Sequence, residues 1–588
     1  MVSHFLGPES KHITSVTIRG EVREDLPAKI SFRPFLITDD GNVEWMDRIE
    51  FVFYTHRKCP LLPALGILEP FPKSVDLERS VSFIQERLGQ CLETHRGCSK
   101  VTASTLPRRI LSIGASESEG IKLIQPQGLQ AKYATLSHCW GGIQPLRTTK
   151  SSLASMLVSI SSHDLPIVFQ QAILVARKLS IKYIWIDSLC IIQDSQSDWE
   201  LESAKMCDYY RNSYLNISTA SSPNHGVPFL GKRESHWWPA EFHLRGTFGR
   251  RYEVFAKRVP QTGNITDGGV LFSRAWAWQE AALAPRTIYF TTATLIWECW
   301  KGTNPDHYVP DLLAYGVYGF SFMLGPNWTD WSLSQQGALW EVWNNIVTVY
   351  STRLLTYEID RLPALSGAAA RFQVATKCRY LAGFWEQSLP ACLCWELAIW
   401  ATSDTALAYT YSKYIAPSWS WASVSQAVEY VVRLDIKEFE SYVTIMNAHC
   451  EVPGLNPFGR ISAAHLHLKG KVAQVLLRCN EPLSTKEYIL GDGRVWKFMP
   501  DCILVEKEGN LMRASKRQKP AAFSASTPCL YLGVNSLRGS NEEARHYALV
   551  LGQSDAGNGT FCRLGLAWLD GLVDALFEGA SEIEICIV

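Results

Sequence analysis

Two polar clusters follow apolar, β-forming runs in the first third of the chain, and their side chains could bind a ligand or transfer a proton. The clusters are Ser137, His138, Cys139 and Trp140 after the run YATL, and Asp187, Ser188, Cys190 and Gln193 after the run YIWI. A carboxylate at the end of a buried strand is costly unless it is paired or hydrogen-bonded. Asp187 is therefore either a cap that accepts backbone N–H groups or a group that binds a ligand or does acid–base chemistry.

A cysteine–histidine pair is a second chemistry that these clusters could supply. Cys190 or Cys139 would be the nucleophile, and His138 would lower the pKa of its thiol. The flanking residues Leu189 and Ile191 favour a buried structural thiol instead, because cysteine is among the side chains most often buried.

Glu202 is a candidate for a third chemistry, the cleavage of a glycosidic bond. Together with Glu200 it forms a carboxylate pair closely behind the second cluster. In a glycohydrolase such a carboxylate stabilises the oxocarbenium-like centre as the leaving group departs. The alternative is a glutamate that the helix dipole favours near the start of a helix.

A third cluster lies in the run SRAWAWQEAAL and consists of Arg274, Trp276, Gln279 and Glu280. On a helix, positions 276, 279, 280 and 283 share a face, so we expect Trp276 to pack and Gln279 or Glu280 to reach a crevice. Arg274 would either pair with Asp187 or bind a phosphate group.

No standard metal motif is present, and we therefore predict no metal site, with one alternative left open. That alternative is a structural zinc site built from two halves, His56 and Cys59 in one half and Cys91, His95 and Cys98 in the other. These residue types bind zinc at short spacings, but the 31 residues between the halves are not a standard spacing.

Alternating strands and helices between residues 131 and 222 must position the first two clusters. In chain order they are AKYATLSHCWGG, LPIVFQQAILVARKLS, YIWID, WELESAKMCDYYRN and SYLNISTAS. We expect Pro166 in the first turn of the first helix and Asp198 as the N-cap of the second. This alternation predicts a parallel sheet with crossover helices. Ligands of such sheets bind beyond the carboxyl ends of the strands, so the two clusters should face one another.

The flanking regions have other patterns. Residues 1–125 form short β-like runs with one amphipathic helix, VDLERSVSFIQERLGQCLETH. Residues 340–400 have largely helical periodicity, the chain beyond about 415 has short strands and turns, and residues 506–526 form a basic, disordered-looking loop. We predict three regions: an N-terminal β-rich segment with one helix (1–125), an α/β domain (126–300) and a mixed α+β C-terminal region (301–588).

Composition excludes several classes of protein. Of the 588 residues, 47% are hydrophobic and 19% charged, which indicates a folded chain. Lys plus Arg and Asp plus Glu both number 57, so no net field favours nucleic acid, and we expect no such partner. We find no secretory signal, and no run approaches the roughly 20 apolar residues of a membrane span. We expect a soluble cytoplasmic protein whose 16 cysteines are free thiols.

Three stretches together resemble the fungal heterokaryon-incompatibility (HET) domain. They are YATLSHCWGG (133–142), the block from LPIVFQQ to STASS (165–222), and SRAWAWQEAALAPRTIYF (273–290) with the following WEC (297–299). The likeness is close over roughly 130–300, and it extends loosely to DRLPALSGAAARF, YLAGFWEQSL and PSWSWAS. The fold class that this implies for 126–300 is a parallel-sheet α/β domain, distantly related to TIR domains.

The resemblance implies a regulatory or effector role in non-self recognition between fungal individuals, with growth arrest or programmed cell death downstream. It implies signalling by a protein partner or by self-association, and no certain cofactor. Some TIR domains hydrolyse NAD, so an enzymatic alternative is an NAD glycohydrolase with Glu202 and Asp187 in the crevice and NAD as substrate. A further alternative is a biosynthetic or hydrolytic enzyme on the same fold that uses His138 with Cys139 or Cys190.

Overall fold

A computed structural model describes most of the chain. The described residues are 15–21, 27–37, 43–45, 49–62, 65–98, 102–142, 146–246, 249–260, 268–306, 336–399, 407–431, 439–491, 496–535, 544–554, 557, 559–571 and 575–588. The chain divides into two compact units. The first comprises Met1–Glu202, Asp208–Ser273 and Glu280–Gly325, and the second comprises Ser203–Cys207, Arg274–Gln279 and Pro326–Val588. The three predicted domain boundaries remain predictions.

The described residues contain eight α-helices. They are α1 Leu77–Thr94, α2 Leu153–Val158, α3 Ile167–Lys178, α4 Asp187–Cys190, α5 Gln196–Arg211, α6 Ala275–Leu283, α7 Gln336–Ser351 and α8 Ser366–Thr376. Within this described part of the chain, no helix combines the length and the apolar character needed to cross a bilayer.

The strands of the first unit are mostly short. They are β1 Ser15–Glu21, β2 Ala28–Ile37, β3 Val43–Trp45, β4 Ile49–Tyr54, β5 Ser74–Val75, β6 Ser104–Thr105, β7 Ile110–Ser112, β8 Lys122–Ile124, β9 Gln130–Ala131, β10 Ala134–Ser137, β11 Tyr183–Trp185, β12 Leu215–Ser218, β13 Gly231–Lys232, β14 Ala240–Arg245, β15 Arg251–Val259, β16 Arg286–Phe290, β17 Leu295–Cys299 and β18 Gly302–Pro305.

A mixed sheet of eight strands forms the centre of the first unit, in the order β18-β17-β16-β12-β10-β11-β7-β8. Its four inner strands, β16, β12, β10 and β11, run parallel. The outer strands pair antiparallel on both sides. Helix α3 connects β10 to β11, and α5 connects β11 to β12, as the strand–helix alternation predicts. Every residue of β10, β12, β16 and β17 is buried, which is typical of strands covered on both faces.

A second sheet in the same unit brings together strands that are far apart in the chain. It is antiparallel, in the order β1-β2-β4-β15-β14 with β3 on β2. The N-terminal strands therefore share a sheet with β14 and β15, a pairing that local sequence patterns do not indicate.

The second unit is rich in longer strands. They are β19 Tyr380–Leu381, β20 Phe384–Trp385, β21 Trp395–Leu397, β22 Val428–Tyr430, β23 Phe439–Ser441, β24 Val443–Glu451, β25 Ala463–Cys479, β26 Tyr488–Leu490, β27 Lys497–Pro500, β28 Leu504–Lys507, β29 Asn510–Arg513, β30 Phe523–Asn535, β31 Arg545–Gln553, β32 Thr560–Asp570 and β33 Glu582–Ile587. Strands β25, β30, β31, β32 and β33 pair in a closed ring, in which only β32 and β33 are parallel.

Four local expectations are corrected by the structure. Pro166 does not lie in the first turn of α3, because the helix begins at Ile167 with Pro166 as its N-cap. Asp198 is not the N-cap of α5, because the helix begins at Gln196 with Ser195 as its cap, and Asp198 lies in the first turn. The basic segment 506–526 is not a loop throughout, since β28 and β29 form a hairpin there. Residues 340–399 are α-helical only in α7 and α8; the rest contains short 3-10 helices and the short strands β19, β20 and β21. In the last two cases strand pairing overrode the preference that local composition indicated.

Lys257 on β15 is buried, and its amine has an apolar environment. The side chain is 1% exposed, and Nζ lies 4.2 Å from the centroid of the Phe71 ring. Desolvation lowers the pKa of Lys257 to about 7, and attraction to Asp306 opposes this shift only in part. Between about pH 7 and about pH 10 the unfolded chain therefore binds more protons than the folded chain, so this group makes stability rise with pH.

We expect Lys257→Met to raise the thermal unfolding temperature at pH 7. We also expect the unfolding temperature of this variant to rise less between pH 7 and pH 10 than that of wild type. The free energy difference from wild type should change by at most about 1.4 kcal/mol per pH unit. Lys122→Met, at an exposed position on β8, is the control and should keep the wild-type pH dependence. An unchanged pH profile in Lys257→Met would show that the amine is not desolvated.

Candidate functional site

The first two polar clusters meet because the strands before them are parallel neighbours. Ala134 on β10 is level with Ile184 on β11, and Thr135 is level with Trp185. The segments that follow β10 and β11 therefore leave the sheet at the same edge, as expected for the carboxyl ends of parallel strands. We call this edge, formed by residues 137–142 and 187–193, the strand-end site.

Asp187 is the centre of the strand-end site. Its Oδ2 accepts a hydrogen bond from the indole N–H of Trp140 at 2.9 Å, and its Oδ1 accepts one from the backbone N–H of Ser188 at 2.7 Å. The Nε2 of His138 lies 3.7 Å from Oδ1. The carboxylate side chain is still 22% exposed. Asp187, the first residue of α4, thus accepts one backbone N–H group and is also a partly accessible carboxylate, so neither interpretation of this residue is excluded.

His138 is packed among aromatic rings. Its side chain is 2% exposed, and its ring lies edge-on to Phe169 of α3 with centroids 5.0 Å apart. The ring of His225 lies 5.0 Å from that of His138 and 5.3 Å from that of Phe169. A ligand would therefore reach His138 only by way of Asp187 or after movement of a neighbour.

The thiols and the hydroxyl of the clusters are buried. Cys190 is fully buried, and desolvation raises the pKa of its thiol to about 12, so the thiol is protonated at neutral pH. Cys139 is 4% exposed. The hydroxyl of Ser137 donates to Oδ1 of Asn216 at 3.2 Å. These environments favour structural roles, because a nucleophilic cysteine needs a stabilised thiolate with access to substrate.

Glu202 is fully buried in an ion-pair network. Its Oε1 lies 3.5 Å from a guanidinium nitrogen of Arg109, which is itself 1% exposed, and 3.5 Å from one of Arg108. Its Oε2 accepts a hydrogen bond from the hydroxyl of Tyr209 at 2.8 Å. A carboxylate held by two arginines and a tyrosine, without solvent exposure, is not placed to contact a substrate in this conformation.

Asp198 completes the same network, and sequence reasoning missed its arginine partners. It forms ion pairs with Arg109 and, at 3.1 Å, with Arg108, and it accepts the backbone N–H of Ile192 at 2.9 Å. Arg109 also donates from Nε to the carbonyl oxygen of Cys190 at 2.8 Å. The network therefore ties the start of α5 and the end of α4 to the residues before β7. The only indication of these partners in the sequence is the pair of adjacent arginines before the apolar run in PRRILSIG.

Gln193 closes the loop after α4 by hydrogen bonds to the backbone. Its Nε2 donates to the carbonyl oxygens of Asp187 and Ile191, both at 3.1 Å, and its backbone N–H donates to the carbonyl oxygen of Thr148 at 2.9 Å. The hydroxyl of Thr148 in turn bonds to the carbonyl oxygen of Leu189. The amide of Gln193 thus links both ends of the loop through their carbonyl oxygens.

The third predicted cluster makes its described contacts inside two different units. In the second unit, the indole N–H of Trp276 donates to Asp360 at 3.3 Å, and the side-chain oxygen of Gln279 accepts the backbone N–H of Gly367 at 2.6 Å. Arg274 is half-buried and forms a backbone bridge with Leu354.

Glu280, the last member of that cluster, belongs to the first unit and is 7% exposed. Burial first, and then the negative charge of Glu280, raise the pKa of the Tyr210 hydroxyl. The catalytic and ligand-binding roles of all these residues remain predictions.

Gly141 explains the Trp-Gly-Gly turn after β10. Its φ is +67°, in the left-handed region, and a Cβ at this position would overlap the Cβ of Asn224. A Cβ on Gly142 would meet no atom within 4 Å. Only the first glycine of the pair is therefore required for the chain to turn and present Trp140 to Asp187.

The two halves of the alternative zinc site separate in the structure. Cys91, His95 and Cys98 converge with Cys299, a residue that sequence spacing did not include, whereas His56 and Cys59 are not in this group. His56 instead bonds through Nδ1 to the carbonyl oxygen of Leu68 at 2.8 Å.

The second unit has a cavity that no sequence motif indicated. Its volume is about 550 Å³, and its lining includes Tyr411, Ser423, Ser462, Arg513 and Cys562. Arg513 donates from Nη1 to the hydroxyl of Ser423 at 3.1 Å, so its charge already has a polar neighbour there.

The comparison with protein families found a match that spans the strand-end site. Residues 133–280 match the family model described as heterokaryon incompatibility protein (HET). The resemblance to HET domains is confirmed over this segment. We call residues 133–280 the HET segment; it includes β10, α3, β11, α5 and β12, and hence the whole strand-end site.

Comparisons with curated proteins and with solved structures gave no match. The HET segment indicates a role in heterokaryon incompatibility in a fungal context.

We expect Gly141→Ala to lower the free energy of unfolding by about 1–3 kcal/mol, because it combines left-handed backbone strain with a clash against Asn224. Gly142→Ala is the matched control and should change stability by less than about 0.5 kcal/mol. Chemical denaturation followed by tryptophan fluorescence measures both. Equal stability of the two variants would contradict this account of the turn.

We expect Glu202→Gln to destabilise the protein by about 3 kcal/mol, because it leaves the buried Arg109 without one of its counter-charges. Glu200→Gln, on the exposed side of the same helix, should have an effect within about 0.5 kcal/mol. Thermal and denaturant unfolding provide the measurement. A Glu202→Gln protein as stable as wild type would show that Glu202 is not a structural charge.

Proposed function

We propose that this chain is an effector or regulator of heterokaryon incompatibility, which acts in the cytoplasm by binding a protein partner or by self-association and causes growth arrest or cell death. The match of residues 133–280 to the HET family is the observation that carries this proposal. The role in non-self recognition and the downstream death response follow from the family resemblance.

The chemistry of the strand-end site supports signalling more than catalysis. Within the site, Cys190 is fully buried and the side chains of Ser137 and Gln193 are hydrogen-bonded to the protein; Glu202, which lies outside the site, is also fully buried. Groups held in this way support a role as a contact surface more than the turnover of a substrate. An enzyme would need several convergent groups open to a ligand.

The outer rim of the strand-end site is the surface that we propose for the partner. It consists of the half-buried Trp140, the exposed Gly141 and Gly142, and the partly exposed carboxylate of Asp187. An aromatic ring fixed by a hydrogen bond to a carboxylate is a preorganised contact, because its orientation costs no further entropy on binding. Tryptophan is also among the residues that contribute most to binding at interfaces.

We expect inducible expression of the wild-type chain in a fungal host to arrest growth, and Asp187→Asn to weaken this arrest. The substitution removes the charge but keeps the size of the side chain, so Trp140 loses its ionic acceptor. Asp164→Asn, at an exposed position of the HET segment, is the control and should arrest growth like wild type. Immunoblots must show equal amounts of the three proteins. Growth of wild type equal to that of the empty vector would overturn the proposal.

A TIR-like NAD glycohydrolase is a second candidate, and one observation favours it. His138 and Asp187 form a pair 3.7 Å apart, and the carboxylate is partly exposed, so the pair could exchange a proton with a ligand bound at Asp187. The full burial of Glu202 argues against a mechanism in which Glu202 is the catalytic glutamate.

Incubation of the purified chain with NAD, followed by measurement of nicotinamide, separates the two candidates. The signalling proposal expects no nicotinamide above the background of Asp187→Asn. Release that requires Asp187, at equal folding of both proteins by circular dichroism, would establish the enzymatic candidate and replace the signalling proposal as the primary activity.

A further inference from the structure

Four metal-binding side chains converge in the first unit, outside the HET segment. They are Cys91, His95, Cys98 and Cys299, and one ligand atom from each lies within 4.8 Å of all the others. Sγ of Cys299 lies 3.4 Å from Nδ1 of His95. Residues 91 to 98 and residue 299 are about two hundred positions apart in the chain, so only the fold brings them together.

The distances fit a tetrahedral metal ion. Zinc bonds of about 2.3 Å to sulfur and about 2.0 Å to nitrogen place tetrahedral ligand atoms about 3.5–3.8 Å apart. The separation of 3.4 Å between Cys299 and His95 agrees with this geometry, and the other pairs need to move by at most about 1 Å.

Secondary structure fixes each ligand. Cys91 lies in the last turn of α1 on its buried face, and His95 is the C-cap, whose N–H donates to the carbonyl oxygen of Cys91 at 3.1 Å. Cys98 follows in the next turn, and Cys299 is the last residue of β17. The other end of α1 is also fixed, because its N-cap Asp76 accepts a hydrogen bond from the backbone N–H of Arg79 at 3.0 Å.

Arg286 contacts the residues of the cysteine–histidine cluster without being one of the four ligands. It lies on β16 directly opposite Cys299 and is fully buried. Its guanidinium donates to the carbonyl oxygen of Cys98 and, at 2.9 Å, to that of Tyr214. A zinc ion with three thiolates and one imidazole carries a net charge of −1, so a buried guanidinium beside it supplies charge compensation and orients the turn that carries Cys98.

We propose that Cys91, His95, Cys98 and Cys299 bind one structural zinc ion. Four protein ligands fill a tetrahedral shell and leave no position for water or substrate, which is the arrangement of a structural site. The three cysteines are 0–1% exposed. Thiolate and imidazole ligands together select zinc over the hard cations magnesium and calcium. On binding, the three thiols release their protons to solvent, and no redox step is involved.

The site would fasten the end of α1 to the central sheet. The first turn of α1 is capped, but its last turn has no basic residue to stabilise the free carbonyl groups. A metal that joins this end to β17 would close a chain segment of about two hundred residues. The function of the ion would then be to stabilise the segments that flank the HET segment on both sides.

The test begins with the metal content of the full-length chain, purified from cells grown with zinc and measured by plasma mass spectrometry. We expect about one zinc per chain in wild type and loss of the zinc in Cys299→Ser. Cys299→His should retain zinc, since it supplies a new imidazole ligand, and this variant separates loss of a ligand from failure to fold. Cys59→Ser and His56→Ala, from outside the cluster, should keep the wild-type content.

Two further measurements test whether the thiolates bind the metal directly and whether the metal stabilises the fold. Substitution of zinc by Co²⁺ should give thiolate-to-metal charge-transfer absorption in wild type and a weaker band in Cys299→Ser. A strong chelator should lower the unfolding temperature of wild type but leave that of Cys299→Ser unchanged. Wild type without zinc or cobalt, or with a disulfide between two of the three cysteines after purification under reducing conditions, would overturn the proposal.

Discussion

The parallel pairing of β10 with β11 and β12 is the constraint on which the site depends. Backbone hydrogen bonds set the register, with Ala134 level with both Ile184 and Leu215. Because all three strands run in the same direction, the residues that follow them emerge at one edge. The indole of Trp140 can then reach Asp187, while every residue of β10 and β12 is buried, including the polar Thr135 and Asn216 inside these strands.

Burial of charge is the second feature that shapes this unit. Arg109, Asp198 and Glu202 are all buried, and each would cost several kcal/mol to desolvate alone. As a network they satisfy one another, and the guanidinium of Arg109 also binds the backbone of α4. The network thus specifies where α5 begins and how α4 ends. The same network holds Glu202, whose catalytic role stays a prediction, in ion pairs with Arg108 and Arg109.

The HET segment covers only part of the first unit. Strands that pair with the segment come from the chain before it and from the chain after it. Strand β16, which extends the parallel sheet beyond β12, follows the segment, and β7, which pairs with β11, precedes it. The cysteine–histidine cluster has the same distribution, with three members before the segment and one after it. The match to the HET family model therefore covers the strand-end site but not the strands β7 and β16 or the cysteine–histidine cluster.

Local sequence determined the elements and the chemistry at their ends. The apolar run YIWI, the amphipathic stretch 165–180 and the Trp-Gly-Gly turn predicted β11, α3 and the turn after β10, because these depend on side-chain period and on the backbone freedom of glycine. The polar residues after the strands followed from the same patterns. About half of the candidate site, namely its position and its central carboxylate, was thus predictable.

The partners of those residues were decided only by the tertiary structure. Asp198 looked like a helix cap, yet its main partner is Arg109, 89 positions away. Cys91, His95 and Cys98 had suitable spacing, but their fourth neighbour, Cys299, came from a distant strand, and His56 and Cys59 did not join them. The physical reason is that local periodicity records which face of an element is apolar. It carries no information on which distant element covers that face, because this choice is made by packing and hydrogen bonding of the whole chain.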